Sequence, residues 1–220
     1  MTIYQQFQSS ITASSQLVEM YTELRRSRGL GARGRLDAAN TDLLWLPRSA
    51  VVASLSAMDA YIHAVLYDKI PEILRRDDVP EPLAKALASI MPIKNGDHFQ
   101  DALPILKAHD TVAKLSERLR DQTLSFLSYQ APEKIVKGYE LIGHPDIFET
   151  VAATWPGPRT TADDIRRSLA NYVKRRNQIA HEGDLEADGQ PRPMQPQYAT
   201  QCREFIENLV SRLNRVVYGI

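Results

Sequence analysis

Three residues that lie close together in the sequence, Arg176, Asn177 and His181, carry side chains suited to acid–base and electrostatic chemistry. An imidazole titrates near neutrality, so it can give or take a proton during a reaction at physiological pH. A guanidinium stays charged and presents a planar fork of donors to an anion. The segment from Arg176 to His181 is therefore the clearest indication of function in the chain.

These residues end a predicted amphipathic helix that starts near residue 160. Arg176 follows Ile165 by eleven residues, which puts it near the middle of the apolar face at about 100° per residue. Asn177 and His181 are four residues apart and project from one flank, off the apolar centre. Arg176 and His181 are thus not side by side on an ideal helix. The length of the arginine, fraying at Gly183 or a second copy of the chain could bring them together.

Two purely structural explanations, one for His181 and one for Arg176, stay open. A histidine at a helix end is most often a capping group. Asp59 also falls on an apolar helix face, and an unpaired buried charge is costly, so we expect Arg176 and Asp59 to face one another, directly or through a neighbour. Such a pair could serve only to fix the helix register, although a buried pair is a poor source of stability, and this raises the expectation of a site.

The pattern of the chain predicts an all-α, single-domain helical bundle over residues 1–220. An N-terminal helix and an Arg/Gly loop occupy 1–36, and a core helix, apolar on nearly all sides, occupies 40–70. Residues 71–159 form a proline-punctuated helical insertion, and 160–220 hold the motif helix and a C-terminal helix. Three serines, Asp59 and His63 within the core helix make a membrane span unlikely, so we expect no membrane contact.

Composition places the protein in a reducing compartment and limits any contact with nucleic acid. The chain has one cysteine, Cys202, expected to be a buried small hydrophobe, and no basic leader followed by an apolar run, so we predict a cytoplasmic location. Lys plus Arg equals Asp plus Glu, at 27 each, so any contact with phosphates must be local. The five arginines from Arg25 to Arg35 could bind the phosphates of a nucleic-acid backbone, although a solvated loop is the favoured interpretation.

Neither a metal nor a cofactor is expected. His63, His98, His109 and His144 are scattered without the spacing of a metal site. The glycine-rich loop after the first helix lacks the preceding strand and the lysine of a phosphate-binding loop.

The segment Lys174-Arg175-Arg176-Asn177-Gln178-Ile179-Ala180-His181 resembles the Arg-polar-x-x-x-His signature of the HEPN superfamily, which ends a late helix. The run from Ala50 to Tyr61, with Asp59, resembles the core helix of the RiboL-PSP-HEPN branch. These all-helical domains include many metal-independent endoribonucleases of toxin–antitoxin, phage-defence and RNA-processing systems. Residues 71–159 match nothing in that family.

The resemblance implies RNA cleavage by the 2′-hydroxyl of the strand itself, leaving a 2′,3′-cyclic phosphate. His181 would be the acid or base, Arg176 would hold the scissile phosphate, Asn177 would position a phosphate oxygen or His181, and Asp59 would orient Arg176 or His181. The further candidates for binding RNA are Lys174, Arg175 and Arg48. The resemblance also implies a homodimer with the active site at its interface, and a toxin or defence role allows a cognate antitoxin.

Two other functions remain open at this stage. A non-catalytic module of the same fold could bind RNA, a nucleotide or a protein partner. A structural helical protein could hold Arg176 and Asp59 merely as a buried pair.

Overall fold

The computed structural model describes residues 1–31, 34–91, 99–157 and 159–219. Within these ranges the chain is all-α, as predicted, and holds no β-strand. The helices are α1 (Ile3–Ser27), a 3-10 helix (Ala38–Leu44), α2 (Trp45–Ile73), α3 (Glu81–Ile90), α4 (Phe99–Leu106), α5 (Thr111–Gln122), a 3-10 turn (Leu124–Phe126), α6 (Pro132–Glu140), α7 (Ile147–Ala152), α8 (Ala162–His181) and α9 (Pro196–Tyr218).

The described residues divide into two compact units. The first combines Met1–Tyr61 with Phe148–Ile220, and the second is Ile62–Ile147. The second unit corresponds to the predicted insertion, but it begins and ends earlier than residues 71 and 159. Its start differs because α2 continues to Ile73, so the last turns of the core helix belong to this unit. Proline at position 71 does not end the helix, since it lies in the final turn.

The first unit is built around α1, the start of α2 and α9. Helix α1 buries Phe7, Ile11 and Tyr21 along one face, at the spacing that predicts an amphipathic helix. The ring of Phe7 meets that of Tyr61 edge-on at 5.8 Å between centroids. The hydroxyl of Tyr61 donates to Oδ1 of Asn214 on α9 at 3.2 Å, which satisfies a buried polar pair. These contacts hold α1, α2 and α9 together.

Helix α2 is the predicted buried core helix. Ala50, Val51, Leu55 and Met58 in its first half are fully buried. The stretch Ala38–Ile73 is the one run among the described residues that is long and apolar enough to cross a membrane, yet 56% of its most apolar window is buried inside the structure. A core helix of a soluble protein meets the same criterion, so this stretch is weak support for a membrane span.

Candidate active site on helix α8

Helix α8 has the ends that the sequence predicts. The hydroxyl of Thr161 accepts from the backbone N–H of Asp164 at 3.2 Å, and the carboxylate of Asp164 accepts from the backbone N–H of Thr161 at 3.1 Å. This reciprocal pair is a capping box, which satisfies two donors at the helix start. The helix ends at His181, and Gly183 follows with φ of +65°, a backbone angle that glycine adopts readily. His181 is therefore the last helical residue, next to a sharp change of chain direction.

Arg176 and His181 meet within a single chain. Nη1 of Arg176 lies 3.2 Å from Nε2 of His181 and donates to Oδ1 of Asn177 at 3.1 Å. Because arginine has no acceptor, this contact is a hydrogen bond in the tautomer of neutral His181 that carries its ring proton on Nδ1, so that Nε2 accepts. The structure thus brings the three motif side chains together without fraying of the helix and without a second copy.

The exposure of these groups makes the site open on one side. Asn177 and His181 are exposed, and Arg176 is partly buried. The Nε of Arg176 is inaccessible to solvent and makes no hydrogen bond to any described residue. A buried donor without an acceptor is unfavourable by about 1–3 kcal/mol, which is unusual enough to require an explanation. The guanidinium is therefore held with its inner edge in the protein and its Nη1 at the surface.

Of the two arrangements expected for Arg176 and Asp59, a direct contact or one through a neighbour, the structure does not show the direct ion pair. Arg176 makes no ion pair with a carboxylate of any described residue, and its polar contacts are those to Asn177 and His181. Asp59 is partly buried in α2 and takes part in a polar or electrostatic interaction there. An orienting role for Asp59 stays a prediction.

The comparisons with known proteins add no family assignment. No protein-family model, curated protein or solved structure matches this chain. The likeness to the HEPN superfamily therefore rests on the motif and on the order of the helices.

Two of the three cations expected to bind RNA are engaged inside the protein instead. The guanidinium of Arg48 binds the carboxylate of Asp184, and so does that of Arg175, whose Nη2 lies 2.9 Å from Oδ2. Arg48 is 3% exposed and Asp184 is 1% exposed. The carboxylate of Asp184 is thus the counter-ion of both guanidinium groups, which offsets part of the cost of removing these charges from water. We name Arg48, Asp184 and Arg175 the buried ion cluster; this cluster leaves little of either guanidinium for a phosphate.

The buried ion cluster also shapes the loop after α8. Arg48 donates to the backbone oxygen of Arg192 at 2.8 Å, and Arg175 donates to that of Pro193 at 3.0 Å. The backbone N–H of Asp184 donates to the oxygen of Gln178 at 2.9 Å, and its φ of +57° is rare for a residue with a side chain. Asp184 thus turns the chain away from α8 and ties the loop to α2.

Lys174 differs from these arginines, because its ammonium is exposed and pairs with no carboxylate of the described residues. It is the one predicted RNA-binding cation beside the motif that the fold leaves available.

The arginines after α1 hold their own loop. Arg25 is buried, and its guanidinium donates to the hydroxyl of Tyr21 at 2.8 Å and to the backbone oxygens of Gly31 and Gly34. Arg28 makes a bidentate pair with Asp42, with both distances 2.8 Å. Arg33 lies outside the described residues. The donors of Arg25 and Arg28 are therefore occupied within the protein, and the buried Arg25 is not the solvated side chain that was expected.

Sequence reasoning missed three features. Asp184 follows the motif directly, but only its buried position reveals its importance. Trp45 begins α2 and is 50% exposed, with the guanidinium carbon of Arg48 5.3 Å from its ring centroid. The second unit holds a cavity of about 220 Å3 with apolar walls from Leu66 and Ile70 and a charged edge from Arg75 and Arg120. None of the predicted site residues lies in the second unit.

The remaining candidates for chemistry have structural surroundings. Cys202 is fully buried, as predicted, and burial raises the pKa of its thiol to about 12, so the nucleophilic thiolate is disfavoured. His63 is placed by two hydrogen bonds, one between its Nε2 and the oxygen of Leu127 at 3.1 Å and one from the hydroxyl of Tyr67 to its Nδ1 at 3.2 Å. Among the described residues no group of three or more His, Cys, Asp or Glu side chains could hold a metal ion; His98 lies outside them.

Proposed function

We propose that this protein is an endoribonuclease that cleaves RNA without a metal ion, by attack of the 2′-hydroxyl on the adjacent phosphate. The observation that carries the proposal is the 3.2 Å contact between Nη1 of Arg176 and Nε2 of His181 at the exposed end of α8. This contact joins a proton acceptor to an anion-binding group, and the reaction needs both.

In this reaction the 2′-oxygen bonds to phosphorus and the bond from phosphorus to the 5′-oxygen breaks. The products are a 2′,3′-cyclic phosphate and a 5′-hydroxyl. When the scissile phosphate binds Arg176, Nη1 leaves Nε2 of His181 and frees the lone pair of that nitrogen, which then takes the proton of the 2′-hydroxyl. Once His181 is protonated, two cations face each other, so a phosphate between them would satisfy both. Arg176 then stabilises the charge that develops on the phosphate oxygens.

A second proton has to reach the departing 5′-oxygen. The same imidazole could return its proton, or the His181 of a second copy could supply one. We propose the second arrangement, a homodimer with two motif sets in one cleft, on the basis of the family resemblance. The structure removes one earlier reason for a dimer, because Arg176 and His181 already meet within one chain.

The other predicted residues take different parts in this proposal. Asn177 accepts from Arg176 at 3.1 Å, so it positions the guanidinium before a phosphate arrives. Lys174, exposed and without an ion-pair partner among the described residues, contacts the RNA backbone. We retain Asp59 as a residue that could orient the site from α2, and we no longer assign Arg48 and Arg175 to RNA, because they bind Asp184.

The biological setting follows from the resemblance alone. We propose a cytoplasmic toxin or phage-defence effector, kept in check by a cognate antitoxin or another regulatory partner. Expression of the wild-type chain should inhibit growth, and His181→Ala should relieve the inhibition.

Incubation with structured RNA in EDTA tests the proposal. We expect cleavage by the wild-type protein and none by Arg176→Ala or His181→Ala, with circular dichroism confirming that both variants fold. Cleavage that needs added metal, or that survives in a folded His181→Ala protein, would contradict it.

A non-catalytic binding module is the second candidate, and the exposure of the motif favours it. Arg176 and Lys174 could hold an RNA or nucleotide phosphate at the end of α8 with no proton transfer. In that case a labelled RNA would bind in a filter assay, Arg176→Ala would weaken the binding, and no product would form at large enzyme excess.

A further inference from the structure

We propose that Trp45 is a stacking site for an unpaired base of a single-stranded RNA that enters the site on α8. This inference rests on the proposed function for its choice of RNA as the ligand. It adds a recognition residue outside the motif and narrows the substrate class to RNA with an unpaired base near the cleaved bond.

The indole of Trp45 is presented to solvent on a rigid support. It begins α2, and half of its surface is accessible. The guanidinium carbon of Arg48 lies 5.3 Å from the ring centroid, within the range of a cation–π contact. Arg48 is itself fixed by Asp184 and by the backbone oxygen of Arg192. An exposed aromatic ring held in this way loses little conformational entropy when it binds a ligand.

The same contacts connect Trp45 to the motif. Asp184 binds Arg48 on one side and Arg175 on the other, and Arg175 directly precedes Arg176 in α8. Trp45 is thus joined, through the buried ion cluster, to the residue that precedes Arg176 in the first unit. In this proposal, a strand whose phosphate is held by Arg176 extends toward Trp45, so that one of its unpaired bases stacks on the indole.

Stacking on an aromatic ring selects single strands. In a duplex the flat faces of the bases are covered by their neighbours, whereas unpaired bases can be splayed out onto an aromatic side chain. Each such contact changes binding of single-stranded nucleic acid by a large factor and tolerates any base. The formal net charge of the chain is zero, so attraction to the phosphates of the RNA backbone is a weak source of affinity. A stacking contact would supply part of the remaining free energy of binding.

Tryptophan fluorescence measures this contact directly. The chain has two tryptophans, and Trp155→Phe leaves Trp45 as the only one while keeping an aromatic ring beside Phe205. His181→Ala is added so that the RNA stays intact. We expect a 12-nucleotide unstructured RNA to quench the fluorescence of Trp45, and the same strand in a duplex to leave it unchanged. Equal quenching by both forms, or none by either, would overturn the proposal.

Substitution of the ring provides the second readout. Trp45→Ala should weaken binding of the single-stranded RNA by about 5- to 100-fold, and Trp45→Phe should restore part of the affinity. Phe126→Ala is the matched control, since it removes an aromatic ring that is 80% exposed and lies in the second unit, and it should leave the affinity unchanged. If Trp45→Ala binds RNA as the wild type does but no longer self-associates, the ring belongs to a protein interface and the proposal is overturned.

These measurements separate stacking from catalysis. Quenching and loss of affinity in Trp45→Ala, with no cleavage by the wild-type protein, would support the stacking site and contradict the nuclease. Cleavage that is as fast in Trp45→Ala as in the wild type, with equal KM, would overturn the stacking site and leave the nuclease intact.

Discussion

Nη1 of Arg176 lies 3.2 Å from Nε2 of His181, although the two residues are five positions apart along α8. An ideal helix directs these side chains away from each other, since five positions correspond to about 500° of rotation. The long arginine side chain closes the gap along the helix surface, and Asn177 holds the same nitrogen at 3.1 Å. A proton acceptor and an anion-binding group are thereby paired at an exposed helix end.

The planar fork of Arg176 is the first feature to test. Arg176→Lys keeps the positive charge but loses the planar fork of donors that would hold the phosphate oxygens, so RNA cleavage should fall by about 100-fold or more. Single-turnover cleavage of a labelled RNA measures this loss. Arg167→Lys, on the same helix at a side chain 73% exposed, is the control and should cleave at the wild-type rate. An Arg176→Lys protein with unchanged cleavage would show that charge alone suffices.

The carboxylate of Asp184 should be essential for stability. Asp184→Ala leaves the buried guanidinium of Arg48 without its counter-ion, so the free energy of unfolding should fall by about 3–5 kcal/mol. Urea denaturation measures the change. Asp184→Asn removes the charge but suits the left-handed backbone, so its loss should be smaller. Asp188→Ala, an exposed residue of the same loop, should change stability by less than about 1 kcal/mol; a similar loss in both alanine variants would contradict this view of the buried ion cluster.

The elements that carry the candidate site could be predicted because their signals are local. Thr161 and Asp164 mark the start of α8, Gly183 follows its end, and the apolar run after Ser49 gives the buried helix α2. Each of these depends on residues three or four apart, where backbone geometry alone fixes the relationship. The meeting of Arg176 with His181 was left as one of several possibilities, since periodicity gives directions of side chains but not their reach.

The partners of the charged residues could not be predicted in this way. Arg48 and Asp184 are 136 residues apart, and their contact depends on how α2 packs against the loop after α8. In the sequence, Arg48 and Arg175 are ordinary cations, whereas in the fold both bind the buried carboxylate of Asp184. The expectation that Arg176 and Asp59 face one another met the same difficulty: a position on an apolar face indicates burial but does not identify the neighbour, and no direct ion pair joins the two.

The proposed homodimer predicts that an inactive chain inhibits an active one when the two form a mixed dimer. If one cleft needs an imidazole from each copy, a mixed dimer of wild type and His181→Ala has one imidazole too few. With His181→Ala in excess, cleavage per wild-type chain should fall in proportion to the wild-type fraction. Light scattering at micromolar concentration, which should show a dimer, complements this assay. A fully active monomer, or wild-type activity that is insensitive to the added variant, would contradict the dimer.

The partly buried imidazole of His144 predicts a loss of stability in acid. Burial lowers the pKa of His144, so near pH 6.5 the unfolded chain binds this proton more readily than the folded one. The free energy of unfolding should therefore decrease as the pH falls from about 7.5 to about 5.5. His144→Gln should show a smaller decrease in urea denaturation at the two pH values. His109→Gln, at an exposed position of the same unit, should match the wild type, and equal decreases in all three proteins would contradict the effect.

The most direct test of the account is the chemistry of the cleaved ends. An RNA that the wild-type protein cuts at a mapped position is prepared with the ordinary ribose and with a 2′-deoxyribose at that nucleotide, and each is incubated with excess protein in EDTA. We predict a 2′,3′-cyclic phosphate from the ribose form, no product from the 2′-deoxy form, and none from either with folded His181→Ala. Cleavage of the 2′-deoxy form, or cleavage of the ribose form by His181→Ala at the wild-type rate, would contradict the account.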